Sequence, residues 1–165
     1  MFDIAYADLF KSFPPELATA LIAMIPIAEL RVALPLALTT FDLPVSSAFF
    51  WSILGNMVPV VLILWLIEPI SNFLAKRSAT WQKFFNWVTR RTQDKFQKNS
   101  YRYGVFVALM LFVAIPLPMT GAWTGALAAF LFRVPFRNAL FAIFLGVCIA
   151  CIIVWIVTIG AISIF

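Results

Sequence analysis

Ile25-Pro26-Ile27-Ala28-Glu29-Leu30-Arg31-Val32-Ala33-Leu34-Pro35 sets two prolines, an acid and a base into the middle of an apolar run that extends from residue 16 to 41. A helix does not pass Pro26 undisturbed. The ring fixes φ, removes an N–H and pushes the preceding residue out of helical backbone. The run is longer than the roughly 20 residues a spanning helix needs. It therefore reads either as one kinked span or as a re-entrant hairpin, two half-helices that enter and leave by the same membrane face.

Working outward, a second long apolar run at 103–132 is broken by Ile115-Pro-Leu-Pro-Met-Thr-Gly-Ala-Trp-Thr-Gly125. Each broken run is followed by an unbroken one, at 46–70 and 137–163. The two units share a pattern. Pro44, Ala48, Phe50, Leu54 and Gly55 recur as Pro135, Ala139, Phe141, Leu145 and Gly146, at a constant offset of 91 residues. The Ile-Pro pairs sit at offset 90, one gap away. Matched Pro and Gly carry more weight than matched Ala, Phe or Leu, because they impose backbone shape.

Composition sets the solvent. The chain has 165 residues, 64% of them hydrophobic and 12% charged, with no His. Soluble domains carry about 25% charged residues, so the medium must be lipid. A net charge of +5 does not point to nucleic acid, because eight of the twelve Lys and Arg lie between Lys76 and Arg102. That cluster reads as a cytoplasmic loop beside anionic headgroups. Asp3 and Asp8 precede the apolar run where a cleavable signal would be cationic. Cys148 and Cys151, one turn apart in an apolar segment, read as small hydrophobes. With no His and no further Cys, no metal or haem site is expected, and no cofactor. Nor is there a P-loop, a G-x-S-x-G or an H-E-x-x-H, so the chain does not read as an enzyme.

Charge placement favours hairpins over kinked spans. With hairpins, ten of the twelve Lys and Arg fall on one face, while Asp3, Asp8, Glu16 and Asp42 fall on the other. With four spans, Arg133 and Arg137 lie opposite the basic linker, against the positive-inside rule. A hairpin plus one span crosses the membrane once, so the second unit inserts upside down. The expected fold is thus an all-α, polytopic membrane protein: a single domain of two inverted repeats, 15–75 and 103–163, each a re-entrant hairpin plus a transmembrane helix. The linker 76–102 joins them. In it Trp81, Phe84, Phe85 and Val88 share a face that Lys83, Arg90, Arg91 and Lys95 avoid, the pattern of a basic amphipathic helix lying among lipid headgroups.

Glu29 and Arg31 are the charges that need a reason to lie so deep, since one such group at the bilayer centre costs about 2.5–3.5 kcal/mol on insertion scales. One reading makes Glu29 a proton or cation site and Arg31 its charge balance or an anion contact. The other makes them a structural ion pair that holds the tip shut. In the second break, Pro116 and Pro118 free backbone carbonyls, and Thr120 and Thr124 add hydroxyls. Gly121 and Gly125 admit close backbone approach or a helix contact. Asn56, after Gly55, is placed to bond a hairpin tip or a neighbouring helix. Arg133 and Arg137, beside Pro135, read first as orientation signals.

The segment 25–37, the break 115–125 and the basic linker between them together resemble the prokaryotic small multidrug export proteins, over nearly the whole chain. The resemblance implies an inner-membrane transporter. A fainter likeness is to the DedA membrane proteins, which pair re-entrant hairpins with acids and arginines near their tips and are implicated in moving lipid-carrier phosphates. This chain departs from that pattern, as its second tip has no acid or arginine.

Internal duplication around proline-broken segments is a transporter's build. The expected function is proton- or ion-coupled export of small molecules along a path between the two tips. Candidate site residues are Pro26, Glu29, Arg31, Asn56, Pro116, Pro118, Thr120, Gly121 and Thr124. A carrier of anionic lipid phosphates and a non-transporting scaffold are the alternatives. Membrane lipids, a small-molecule or ion substrate and a second copy in a homodimer are the expected partners.

Overall fold

The computed structural model describes residues 10, 13–77, 99–116 and 121–164. These form six main helices: α1 (Pro15–Met24), α2 (Glu29–Thr39), α3 (Val45–Arg77), α4 (Asn99–Ala114), α5 (Ala122–Leu131) and α6 (Phe136–Ile164). Two shorter helices precede a long one, twice over.

The long helices set the environment. Within α3, Val45–Ser71 has a mean hydropathy of 2.1, and within α6, Phe136–Ala161 reaches 3.1. At 1.5 Å per residue each extends roughly 40 Å, more than the hydrocarbon core of about 30 Å. Their outer faces expose large apolar side chains, among them Trp65, Ile70, Ile156 and Val157. Such faces suit lipid, in which a helix also satisfies all of its own backbone groups. The chain is an α-helical membrane protein. The other four helices have 10, 11, 16 and 10 residues. Over their described residues, at roughly 15–24 Å, none of them reaches across.

Prolines and one glycine punctuate the chain. Pro15 opens α1 in the first helical turn, where its missing N–H costs nothing. Ile25, held extended by Pro26, ends it. Pro44 and Pro135 each precede a long helix and accept its first ladder bond, from Ala48 and Ala139 at 2.9 Å in both cases. At the second break Pro116 follows the end of α4, and α5 starts after Gly121. There the Thr124 hydroxyl takes the Gly121 N–H at 3.0 Å.

Within each half the short helices pack on one another and on the long helix that follows: α1 on α2, both on α3; α4 on α5, both on α6. Across the halves α2 lies on α6, α5 on α3, and α3 on α6. Close approaches recur at matched positions. Gly55 of α3 abuts the Ala20 backbone of α1, and Gly146 of α6 abuts the Met110 carbonyl of α4; a Cβ at either glycine would collide. Asp42 and Arg133, in the turns before the long helices, both adopt left-handed backbone, with φ of 50° and 52°.

The core lies where α2, α3 and α6 meet, around Leu30, Leu34, Val60, Ile143, Val147 and Cys151. The first pair of short helices is sealed by Ile22, Ala33 and Leu36 with Phe10 and Phe41 against them. The second pair leaves an apolar groove of about 510 Å³ beside Gly104, Ala108, Phe112 and Ala128. α3 and α4 run further than the sequence boundaries, to Arg77 and from Asn99 respectively. Residues 78–98, with the amphipathic pattern around Trp81–Lys95, lie outside the described residues, as do Asp3, Asp8, Pro118 and Thr120.

A carboxylate on a helix end at the two breaks

The first break is short. After Met24 the chain turns through Ile25–Ala28, and the Glu29 N–H donates to the Ile25 carbonyl at 2.9 Å. Glu29 itself has φ of 48°, in the left-handed region that an L-residue enters only when its surroundings require it. The consequence is directional. In regular helix, side chains two apart diverge. Here the backbone at Glu29 redirects its side chain, and Arg31 Nη2 lies 3.6 Å from Glu29 Oε2. The two charges thus form an ion pair. Glu29 is buried, and the Arg31 side chain retains 23% of its exposure.

The acid does not stop at Arg31. Its carboxylate accepts the backbone N–H groups of Ala122 and Trp123, in the first turn of α5. These belong to the orphan donors every helix N-terminus carries, and the helix dipole adds partial positive charge there. A carboxylate on such N–H groups makes charge-assisted bonds worth roughly 1.5–3 kcal/mol each. The close approach depends on Gly121. A Cβ at that position would overlap both carboxylate oxygens. An acid from one break is thus seated on the helix end that opens from the other.

The remaining candidates divide. Thr124 closes its own helix turn, exchanging hydrogen bonds with the Gly121 N–H and carbonyl. Gly125 faces Val113 of α4 and Ile143 of α6, so of the two glycines spaced as GxxxG one meets the acid and the other two neighbouring helices. Pro26 is exposed and Pro116 half-buried at the breaks. Pro118 and Thr120 fall on residues that are not described. Among the described residues Asn56, 1% exposed on α3, has no hydrogen-bond partner at Oδ1 or Nδ2; Ser52, four residues earlier, is fully buried with Oγ equally unpartnered. Each orphaned polar atom costs about 1–3 kcal/mol.

Two contributors escape a reading of side chains, and a third went unread. The N–H groups of Ala122 and Trp123 act through backbone, and only the Gly121 break hints that a helix begins there. Ser52 had a readable signal in its i, i+4 spacing from Asn56.

The family model described as "Putative small multi-drug export protein" matches residues 29–153, opening on Glu29 itself and taking in Asn56, Gly121 and Thr124. The chain belongs to that family. No curated protein and no solved structure matches it. Membership of the small multi-drug export family gives the chain a transporter-like role, and an export family is not a class of enzyme.

Proposed function

We propose that this small multi-drug export protein exchanges protons for small cationic compounds, with Glu29 as the group that both bind. The observation that carries this reading is the Glu29 carboxylate seated on the Ala122 and Trp123 N–H groups beside Arg31. While ionised, the acid is held by two donors and a guanidinium. Protonation removes the charge on which all three contacts depend, and the two breaks are free to part. A cation displacing the proton restores the charge that the site lacks. Proton and substrate then compete for one carboxylate, which is the requirement for exchange.

The architecture fits alternating access. Consecutive short helices that pack side by side, none long enough to cross, support two re-entrant hairpins. The recurring glycine contacts at Ala20 and Met110, with the paired left-handed turns at Asp42 and Arg133, support an internal repeat. Charge bias supports opposite insertion of the two halves, with the basic linker 76–102 cytoplasmic in a prokaryotic inner membrane. In such transporters the site lies between repeats near the bilayer midplane. A homodimer would shield the groove-bearing second hairpin from lipid.

A carrier of anionic lipid phosphates needs Arg31 to meet the phosphate, whereas here Arg31 meets Glu29. The two readings separate in liposomes holding the purified protein and a pH-sensitive dye. A lipophilic cation added to wild type drives proton flux, and Glu29→Gln abolishes it. Undiminished flux in that variant would remove Glu29 from the exchange. If substitutions at Glu29 and Arg31 lowered stability and wild type moved no solute, the chain would be a scaffold.

A further inference from the structure

We infer that Ser52, Asn56 and the backbone carbonyl of Gly55 hold a small monovalent cation inside α3, deeper in the protein than the lipid-facing surface and separate from the Glu29 contact. Ser52 and Asn56 stand four residues apart on one helix face. Both are buried, and among the described residues Ser52 Oγ, Asn56 Oδ1 and Asn56 Nδ2 have no partner. Buried side-chain amides are almost always satisfied, and a chain in lipid has no bulk water to fall back on. A third oxygen comes from the backbone. Pro59 lies inside α3 and is buried, and it has no N–H for the Gly55 carbonyl four residues before it. Three oxygens without their usual partners therefore occupy about one turn of helix.

The donor set names the ligand class. Hydroxyl, carboxamide and peptide oxygens are hard and uncharged, so they replace part of the hydration shell of an ion of single charge. A divalent ion would call for carboxylates, and among the described residues no group of three acids, His or Cys comes together. The free Asn56 Nδ2 donor suits the oxygen of a water that the ion retains. Depth fits as well. Gly55 abuts Ala20, and α1 ends four residues later at Met24, roughly 6 Å along its axis. The three oxygens thus lie within about two helical turns of the break that carries Glu29, the level at which transporters hold coupling ions on freed carbonyls. As a coupling site, this deepens the transport reading above and rests on it; as a binding site, it stands on the α3 oxygens alone.

Sodium is the probe. Thermal unfolding of the detergent-purified chain is followed as sodium chloride replaces choline chloride at constant ionic strength. Wild type gains a saturable rise in its midpoint. In Ser52→Ala the half-saturating sodium concentration rises at least tenfold, and in Asn56→Leu, where an apolar group of similar volume removes both polar atoms of the side chain, the rise disappears. Glu29→Gln keeps the rise, so loss of proton flux in that variant and loss of sodium binding are read independently. If Asn56→Leu fails to fold, Ser52→Ala gives the answer alone. Equal midpoints in sodium and choline, or a sodium effect unchanged in Ser52→Ala, would show that water fills the place and would overturn the assignment.

Discussion

The carboxylate of Glu29 occupies the space that a side chain at position 121 would need, so the acid and Gly121, far apart in sequence, are complementary in shape. Replacing Gly121 with Ala forces the acid off the Ala122 and Trp123 N–H groups. We expect a loss of about 1–3 kcal/mol in stability, read as a lower unfolding midpoint in detergent, together with impaired substrate-driven proton flux. A fully stable, fully active Gly121→Ala protein would mean the contact is dispensable.

Glu29 and Arg31 should be energetically coupled. In a double-mutant cycle with Glu29→Gln and Arg31→Gln, we expect a coupling energy within about 0.5–3 kcal/mol. Each single change leaves one charge in low dielectric without its partner, and the double change removes both. Additive effects would show that the 3.6 Å separation contributes nothing.

Gly55 and Gly146 should behave alike. A Cβ on either strikes backbone, at Ala20 or Met110, and main chain cannot swing aside as a side chain does. Gly55→Ala and Gly146→Ala should each destabilise by about 1–3 kcal/mol. Among the described residues nothing lies within 4 Å of a Cβ added at Gly104 or Gly160. Ala there should be neutral, or gain up to about 1 kcal/mol of helix propensity. Thermal midpoints of the four variants check both halves of the statement, and a sharp inequality between Gly55 and Gly146 would argue against equivalent units.

Asp42 and Val134 are exposed and half-buried in the two turns that precede the long helices. Single cysteines there, in a background without Cys148 and Cys151, should react with a membrane-impermeant maleimide from opposite sides of oriented vesicles. Labelling from the same side would replace the hairpins with four conventional spans.

Much of this was legible in the order of residues. Pro26 and Pro116 marked the breaks, because a missing N–H and a restricted preceding residue act locally, whatever surrounds them. The unbroken runs became the two long helices because length and hydropathy are also local properties. Glu29 and Arg31 stood out through the cost of placing charge in lipid. Their pairing was one of two open readings and did not stand out from the other, since it depends on a φ of 48° at one residue. Nor did the acceptor role of Glu29 toward α5, because the donors are main-chain groups that every residue but proline possesses. Thr124 looked like a free hydroxyl and is instead spent on the Gly121 turn. Only three-dimensional contact decides such matters.

The seat of Glu29 also sets an order of events during biosynthesis. The acid leaves the ribosome with its neighbour Arg31 two positions behind, but Ala122 and Trp123 are translated only much later. Through that interval the guanidinium is the partner already at hand for the nascent carboxylate. The helix start that finally receives it arrives with the second half of the polypeptide, so a truncated product would hold Glu29 on Arg31 alone, without the two main-chain donors that complete its seat.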